Sequence, residues 1–198
     1  MTTTLDSKKT ALIVLDIQPT IISMIPGSEV VIPHIVKLVD AARAKGVQII
    51  WVTVGFNEED WAGVSPHNKA FSGAKAAMGE SLPEPFKAGG AGASLVPELK
   101  AQKGDVELRK NRFGPFSSTD LHEQLTKRGI DSIVVAGVKT SGCVLSTVRY
   151  AADHDFKIVV ASDCVKDKDQ AIDDVLIGKV FPEQAHVITS DEVAGLFQ

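Results

Sequence analysis

Short runs of apolar and β-branched residues recur along the whole chain. Several of these runs are apolar at consecutive positions, which is typical of strands that are covered on both faces. We therefore predict six strands, at Ala11–Leu15, Val47–Val54, Val106–Lys110, Ser132–Val138, Lys157–Ser162 and His186–Thr189.

The segments between these runs carry apolar residues three and four positions apart, which is the spacing of an amphipathic helix. We predict helices at Val30–Lys45, Thr119–Arg128 and Cys143–His154, and the first two are followed by a glycine, which commonly ends a helix. Strands that alternate with helices are joined by right-handed crossovers, so the pattern predicts a parallel sheet with helices on both faces. The expected fold is a three-layer α/β domain with about six parallel strands.

The stretch at 55–92 interrupts this alternation, because about forty residues contain no predicted strand and loops of that length are uncommon in compact domains. Long loops of this kind are usually lids or binding loops. A short helix at Pro66–Met78 is expected inside it. We interpret residues 1–198 as one domain, with a long loop or lid at about 55–92.

Aromatic side chains in and after this loop are candidates for contact with a substrate. Phe56 and Trp61 lie where the core pattern is weak, so they are expected to be buried in a pocket or in a subunit interface. Phe113 and Phe116, just after Lys110, are further candidates. Plain core packing is the alternative for these last two.

The composition is that of an ordinary globular protein, with 198 residues, 44% hydrophobic and 23% charged. The net charge of −4 argues against a nucleic-acid partner, because a protein that neutralises phosphates usually carries a basic surplus. No apolar run approaches the roughly 18 residues that a membrane span needs. The first residues lack the pattern of a secretion signal, and two cysteines cannot form a disulfide framework. We expect a cytoplasmic protein without a membrane partner.

Three side chains with reactive chemistry follow separate predicted strands. Asp16 follows ALIVL, Lys110 ends VELRK, and Cys143 follows SIVVAGV after the short turn Lys139–Gly142. Ligands of an open parallel sheet bind beyond the carboxyl ends of its strands. A carboxylate, an amine and a thiol are therefore expected at the same edge of the sheet.

Cys143 lies where a strand, a tight turn and a helix follow one another, so its sulfur is expected near a helix N-terminus. The N–H groups there favour an anion, which biases the thiol toward the nucleophilic thiolate and can stabilise an oxyanion. The alternative is a buried cysteine that fills a gap between helix and sheet, as most free cysteines do. Cys164 is interpreted in that second way.

Asp16 and Lys110 have a functional and a structural interpretation each. A carboxylate near a thiol can take its proton and later return it to a leaving group, whereas an Asp after a strand is often only a turn former. A lysine beside both groups would hold them in their ionised forms, whereas most lysines are merely solvated. Gln18, next to this position, is expected to contact the substrate.

Metal and cofactor sites have little support in the chain. The five histidines show no spacing typical of zinc ligands. The glycines at 89, 90 and 92 do not follow a predicted strand, and the first strand runs into DIQPT without a glycine turn, so no dinucleotide site is predicted. We expect neither a metal nor a cofactor.

Three segments, taken in order, resemble the isochorismatase-like cysteine hydrolase family. They are ALIVLDIQ around Asp16, VELRKNRFGPFSSTDLHEQLTKRGID around Lys110, and VVAGVKTSGCVLSTVRYAAD around Cys143. From about Val96 to Val165 the chain follows the family pattern throughout. With the first strand included, the similarity covers most of the chain outside residues 55–92.

This resemblance implies a Rossmann-like, doubly wound α/β/α fold and a triad formed by Asp16, Lys110 and Cys143. In the family, the cysteine attacks an amide-type carbonyl and forms a thioester that water later cleaves. The resemblance also implies a cis peptide bond between Val138 and Lys139, with the amides of Lys139 and Cys143 facing the oxyanion. Relatives commonly form dimers or tetramers, so a homodimer or homotetramer is expected.

The chain also departs from its relatives at particular positions. Ile21 stands where many relatives carry an aromatic residue, and Lys139 replaces a small residue. The loop after the second strand retains only His67 of the residues that bind a metal in nicotinamidases, which argues against such a site. Members that hydrolyse the vinyl ether of isochorismate generally lack the cysteine, so Cys143 favours the amidase branch.

The leading hypothesis is a metal-independent hydrolase that cleaves a C–N bond of a small amide or ureido compound through a Cys143 thioester. One alternative is vinyl ether hydrolysis of the isochorismate type, in which Asp16 protonates the substrate. A second alternative is a catalytically silent member of the family that acts as a binding protein.

Overall fold

The computed structural model describes residues 4–198 and is built around one parallel sheet. Within these residues the sheet has six strands in the order β3-β2-β1-β4-β5-β6, and every neighbouring pair is parallel. The strands are β1 (Thr10–Leu15), β2 (Gln48–Val54), β3 (Val106–Lys110), β4 (Ser132–Val138), β5 (Lys157–Lys166) and β6 (His186–Ile188).

The connections between the strands are mostly helical. The α-helices of residues 4–198 are α1 (Pro19–Met24), α2 (Val31–Ala44), α3 (Glu58–Ala62), α4 (Lys69–Met78), α5 (Leu121–Lys127), α6 (Leu145–Ala152), α7 (Gln170–Val175) and α8 (Ser190–Leu196). None of them is long and apolar enough to cross a membrane.

Alternate residues of the central strand β1 face opposite sides of the sheet, and this alternation separates two hydrophobic cores. Leu12 and Val14 pack in the core that contains residues of α2 and α8. Ala11, Ile13 and Leu15 pack in the core that contains residues of α5 and α6. Because the central strands β1 and β4 are buried on both faces, their apolar residues follow one another in the sequence.

The strand order reverses between β1 and β4, which makes the gap beyond their carboxyl ends the topological switch point of the sheet. All six predicted strands are present, and β5 extends to Lys166 because a register shift lets its last residues pair with Gly137 and Val138. Helices α1, α7 and α8 were not predicted, since α1 and α7 are short and α8 follows an exposed strand end.

The stretch at 55–92 contains no strand of the sheet, as predicted, but it is more helical than expected. It holds α3, α4 and two short 3₁₀ turns, Glu84–Phe86 and Ala91–Ala93. The expected helix at Pro66–Met78 begins three residues later, because Asn68 caps it by accepting a hydrogen bond from the Phe71 amide.

Candidate active site

Asp16, Lys110 and Cys143 lie at the carboxyl edge of the sheet and line one cavity. Asp16 follows β1 and Cys143 follows β4, so these two groups flank the switch point. Lys110 ends β3, two strands away from β1, a separation of about 10 Å at about 4.8 Å per strand. A long side chain is needed to bridge that distance, and a lysine supplies it.

The Lys110 ammonium and the Asp16 carboxylate form a buried ion pair. Lys110 Nζ donates to Asp16 Oδ2 at 2.7 Å and to the carbonyl oxygen of Arg112 at 3.1 Å. Only 2% of the Lys110 side chain is exposed. A pair at this depth is screened little by water, so each charge depends strongly on the other.

Asp16 combines an unusual backbone with an incompletely bonded side chain. Its φ of +56° lies in the left-handed region, which Asp and Asn tolerate better than other side chains. Its Oδ1 atom is buried with no hydrogen-bond partner among residues 4–198. Burial raises the pKa of the Asp16 carboxyl, and the Lys110 ammonium offsets only part of that shift. The carboxylate is therefore a stronger base than an exposed aspartate.

Cys143 lies in a single π-helical turn, Thr140–Val144, that continues into α6. The peptide bond that enters this turn, between Val138 and Lys139, is cis, at the position that the resemblance implies. The Cys143 thiol donates to the carbonyl oxygen of Val138 at an Sγ–O distance of 3.0 Å. The turn thus fixes the direction of the sulfur toward the cavity floor.

Burial of Cys143 opposes the thiolate form that a helix end would favour. Burial raises the pKa of the Cys143 thiol well above its usual range, and the Asp16 carboxylate raises it further, while Lys110 opposes both effects. A sulfur that donates to the Val138 carbonyl also needs its proton. The charge of Lys110 is already paired with Asp16, so it cannot outweigh the loss of water.

The cavity has a volume of about 330 Å³. Phe56, Trp61 and Phe113 line it, as expected for substrate contacts. The rings of Phe56 and Trp61 meet edge to face with centroids 5.4 Å apart, which joins α3 to the end of β2. Phe113 is 48% exposed at the rim.

Phe116 lies outside this cavity and lines a neighbouring one that shares Arg112 and Phe113, so the structure does not place it beside Asp16, Lys110 and Cys143 as expected. Its ring stacks on Tyr150 with centroids 4.2 Å apart and packs in the core on the side of α5 and α6. Two residues, Gly114 and Pro115, separate it from Phe113, and the chain turns between them. This is the core-packing alternative that the sequence left open.

Gln18 also does not line the cavity, and its predicted contact with substrate is corrected. The side chain is buried, and its amide group is fully used by the backbone. Its Nε2 atom donates to the carbonyl oxygens of Val54 and Ala93, and its Oε1 atom accepts from the Val54 amide. Gln18 therefore ties the end of β2 to the long loop.

We expect Gln18→Ala to lower the free energy of unfolding by about 2–4 kcal/mol, because it leaves buried backbone groups of Val54 and Ala93 without partners. Urea denaturation measures the loss. The exposed Gln102 provides the matched control, since Gln102→Ala should change stability by less than about 0.5 kcal/mol. Equal stability of the two variants would contradict this role for Gln18.

No group of three or more His, Cys, Asp or Glu residues within 4–198 is arranged to hold a metal ion. His67, which occupies the loop after β2, is exposed.

Comparison with known proteins identifies the family. The Isochorismatase domain model matches residues 10–192. The chain belongs to the isochorismatase family. The family resemblance of the three motifs is thereby confirmed, and so is the prediction that the protein is a hydrolase of this class.

Two relatives and one solved structure of the isochorismatase family show how far the likeness extends. YwoC of Bacillus subtilis, an isochorismatase family protein, is 32% identical over 197 residues, covering 96% of this chain and 95% of that protein. Ureidoacrylate amidohydrolase RutB of Caulobacter segnis is 33% identical over 160 residues, covering 73% and 66%. An isochorismatase family protein from Burkholderia thailandensis superposes with a TM-score of 0.81 at 27% identity, covering 98% and 97%. The predicted fold is confirmed.

Several residues of the site were not singled out in the sequence. Phe71 on α4 lines the cavity wall, and Arg112 and Lys168 lie at it as well. The apolar positions 70, 71, 74 and 78 share one face of α4, and this spacing was available in the sequence. Arg112 and Lys168 follow the ends of β3 and β5 by two residues, which the rule for parallel sheets also covers.

Proposed function

We propose that this isochorismatase-family hydrolase cleaves a C–N bond of a small amide or ureido compound through a thioester on Cys143. The observation that carries the proposal is the convergence of Asp16, Lys110 and Cys143 on one cavity from three separate strands. RutB, an amidohydrolase by name, is a relative over most of the chain. The cytoplasmic location and the homodimer or homotetramer stay predictions of the sequence.

The first half of the reaction uses the unbonded oxygen of Asp16. Asp16 Oδ1 takes the proton from the Cys143 thiol as the sulfur attacks the substrate carbonyl carbon, so a C–S bond forms and the carbonyl oxygen becomes an oxyanion. Asp16 then returns the proton to the substrate nitrogen. The C–N bond breaks, the neutral amine or ammonia leaves, and the thioester remains.

The second half repeats the same proton movements with water. Asp16 takes a proton from the attacking water, and the new tetrahedral centre collapses with cleavage of the C–S bond. The proton returns to the sulfur, and the acid product leaves. In both halves Lys110 keeps its charge and holds Asp16 Oδ2, so that Oδ1 is the oxygen that exchanges protons.

The oxyanion requires hydrogen-bond donors that point at the former carbonyl oxygen. We assign this role to the backbone amides of Lys139 and Cys143, which belong to the turn around the sulfur. Removal of one donor of this kind typically costs about 10²–10³-fold in turnover.

An ammonia-release assay over primary amides, carbamoyl compounds and lactams tests the proposal. Wild type should hydrolyse at least one class, and Cys143→Ala should lose all measurable turnover. Intact-mass spectrometry after rapid acid quench should show an acyl adduct on wild type that is absent from Cys143→Ala. Full activity of Cys143→Ala would overturn the thioester, and vinyl ether hydrolysis without an adduct would favour the isochorismate-type reaction. Binding without turnover would instead favour the silent role.

A further inference from the structure

The wall of the active-site cavity is apolar over most of its extent. Four aromatic rings of the described loop and its surroundings, together with two aliphatic side chains of α1, form this wall: Phe56, Trp61, Phe71, Phe86, Ile21 and Met24. A polar substrate as small as urea would leave most of these side chains in contact with water. The cavity therefore selects a substrate with an apolar body.

The volume of the cavity sets the size of that body. At about 30 Å³ for each water-sized group, 330 Å³ holds roughly eleven such groups. The reacting amide or ureido head accounts for about four of these. The remainder fits a group of about the size of a phenyl ring, so an acid group on the same molecule would lie toward solvent, where the Lys139 side chain is 36% exposed.

Positive charge gathers at the same cavity, although the protein as a whole carries a net charge of −4. Arg112, Lys139 and Lys168 line it in addition to Lys110. Asp16 is the one carboxylate of the lining within residues 4–198, and Lys110 already pairs with it. Neither Arg112 nor Lys168 has a carboxylate within 4.0 Å in that part of the chain.

Lys139 lies near a carboxylate but does not form a hydrogen bond with it. Its Nζ atom lies 3.8 Å from Asp167 Oδ1, which is beyond hydrogen-bond distance. Asp167 is fully buried and accepts hydrogen bonds from the amides of Ser141 and Lys168 at 2.8 and 2.9 Å. The Lys139 side chain is 36% exposed, and its ammonium thus keeps its donors available to a ligand in the cavity.

Resting on the proposed amidase function, we infer that the substrates are amide or ureido acids with an apolar body of phenyl size and a carboxylate that Lys139 binds. Arg112 and Lys168 add to the positive potential that draws the anion to the cavity. The apolar wall binds the body, and the cation binds the acid group with charge-assisted hydrogen bonds. The departure from a small residue at position 139 then has a function in substrate selection.

The hydrolysis rates of three ureido compounds test the apolar body and the carboxylate of the substrate separately. N-carbamoylphenylalanine carries both the ring and the carboxylate, 2-phenylethylurea lacks the carboxylate, and N-carbamoylglycine lacks the ring. Wild type should show the highest kcat/KM with the first, by about ten- to a hundredfold over each of the others. In Lys139→Met the ratio of the first to the second should fall by at least about tenfold, mainly through KM.

Lys45→Met is the matched control, because Lys45 is exposed and precedes β2 at the opposite, amino edge of the sheet. It should retain the wild-type preference. An unchanged preference in Lys139→Met overturns the assignment to Lys139. Equal kcat/KM for N-carbamoylphenylalanine and N-carbamoylglycine in wild type overturns the apolar body.

Binding of ligands that have no hydrolysable bond separates this inference from the proposed function. Isothermal calorimetry should show 4-phenylbutyrate binding about tenfold more tightly than 4-phenylbutan-1-ol, with the difference lost in Lys139→Met and reduced by 0.5 M salt. If no compound is hydrolysed but this difference is found, the amidase proposal fails and the anion site stands. Equal binding of the two ligands to wild type overturns the anion site.

Discussion

Asp16→Asn is expected to lower turnover by about 10²–10⁴-fold while it accelerates alkylation of Cys143. Turnover falls because an amide cannot carry the proton from the sulfur to the leaving nitrogen. Alkylation accelerates because the Asp16 carboxylate is one of the causes that raise the pKa of the Cys143 thiol, and its removal leaves the Lys110 charge to favour the thiolate. Asn has nearly the shape of Asp and tolerates the left-handed φ of +56° at this position.

A lower rate of turnover together with a higher rate of Cys143 alkylation distinguishes proton transfer by Asp16 from simple damage to the fold. Damage to the fold would lower turnover without selective activation of one thiol. Iodoacetamide labelling at pH 7, mapped by mass spectrometry, should remain confined to Cys143. Cys164 is the internal control, because burial also raises the pKa of its thiol and the residue is fully inaccessible. The double variant Asp16→Asn, Lys110→Met removes the compensating cation and should label more slowly than Asp16→Asn alone. Slower labelling in Asp16→Asn than in wild type would contradict this account.

Gly137→Ala is expected to destabilise the fold by about 3–5 kcal/mol, which is about 10 °C in melting temperature for a chain of this size. A Cβ atom at position 137 would lie 2.1 Å from the carbonyl oxygen of Leu15, and the φ of +128° is itself unfavourable for alanine. Strand β4 therefore has to move away from β1 at their last paired residues. Asp16 directly follows Leu15, and the turn that holds Cys143 begins after Val138, so hydrolysis should fall together with stability.

Gly73→Ala on α4 provides the contrast. An added Cβ at Gly73 meets nothing within 4 Å, and alanine favours a helix over glycine by about 1 kcal/mol. Differential scanning calorimetry should show a higher melting temperature for Gly73→Ala and a much lower one for Gly137→Ala. A melting temperature of Gly137→Ala within a few degrees of wild type would show that the close approach of β4 to β1 is not required.

The strands and the triad residues could be predicted because their information is local. Short strand-like runs alternate with helical spacing, and most of these runs are apolar at consecutive positions, which indicates burial on both faces. Asp16 directly follows such a run, Lys110 ends one, and Cys143 follows one after a four-residue turn. The spacing of apolar residues alone indicates which face of a strand or helix is buried. A parallel sheet then brings its carboxyl ends to one edge, whatever the order of the strands.

Which residue each side chain contacts could not be predicted, because those contacts join residues that are far apart in the chain. Apolar character indicated that Phe113 and Phe116 need partners, but only the turn after β3 sends Phe113 to the cavity and Phe116 to Tyr150. The polar amide of Gln18 suggested a ligand contact, and the backbone of Val54, thirty-six positions away, takes it instead.

The pKa values of the site show most clearly which properties depend on the sequence alone and which depend on the tertiary structure. The sequence by itself determined the fold class, the three reactive side chains and the edge at which they meet, because periodicity and strand ends are local properties. Only the tertiary structure decided that burial raises the pKa of the Cys143 thiol and that Lys110 pairs with Asp16, since desolvation and Coulomb interactions depend on depth and distance. Those quantities exist only once β1, β3 and β4 lie side by side.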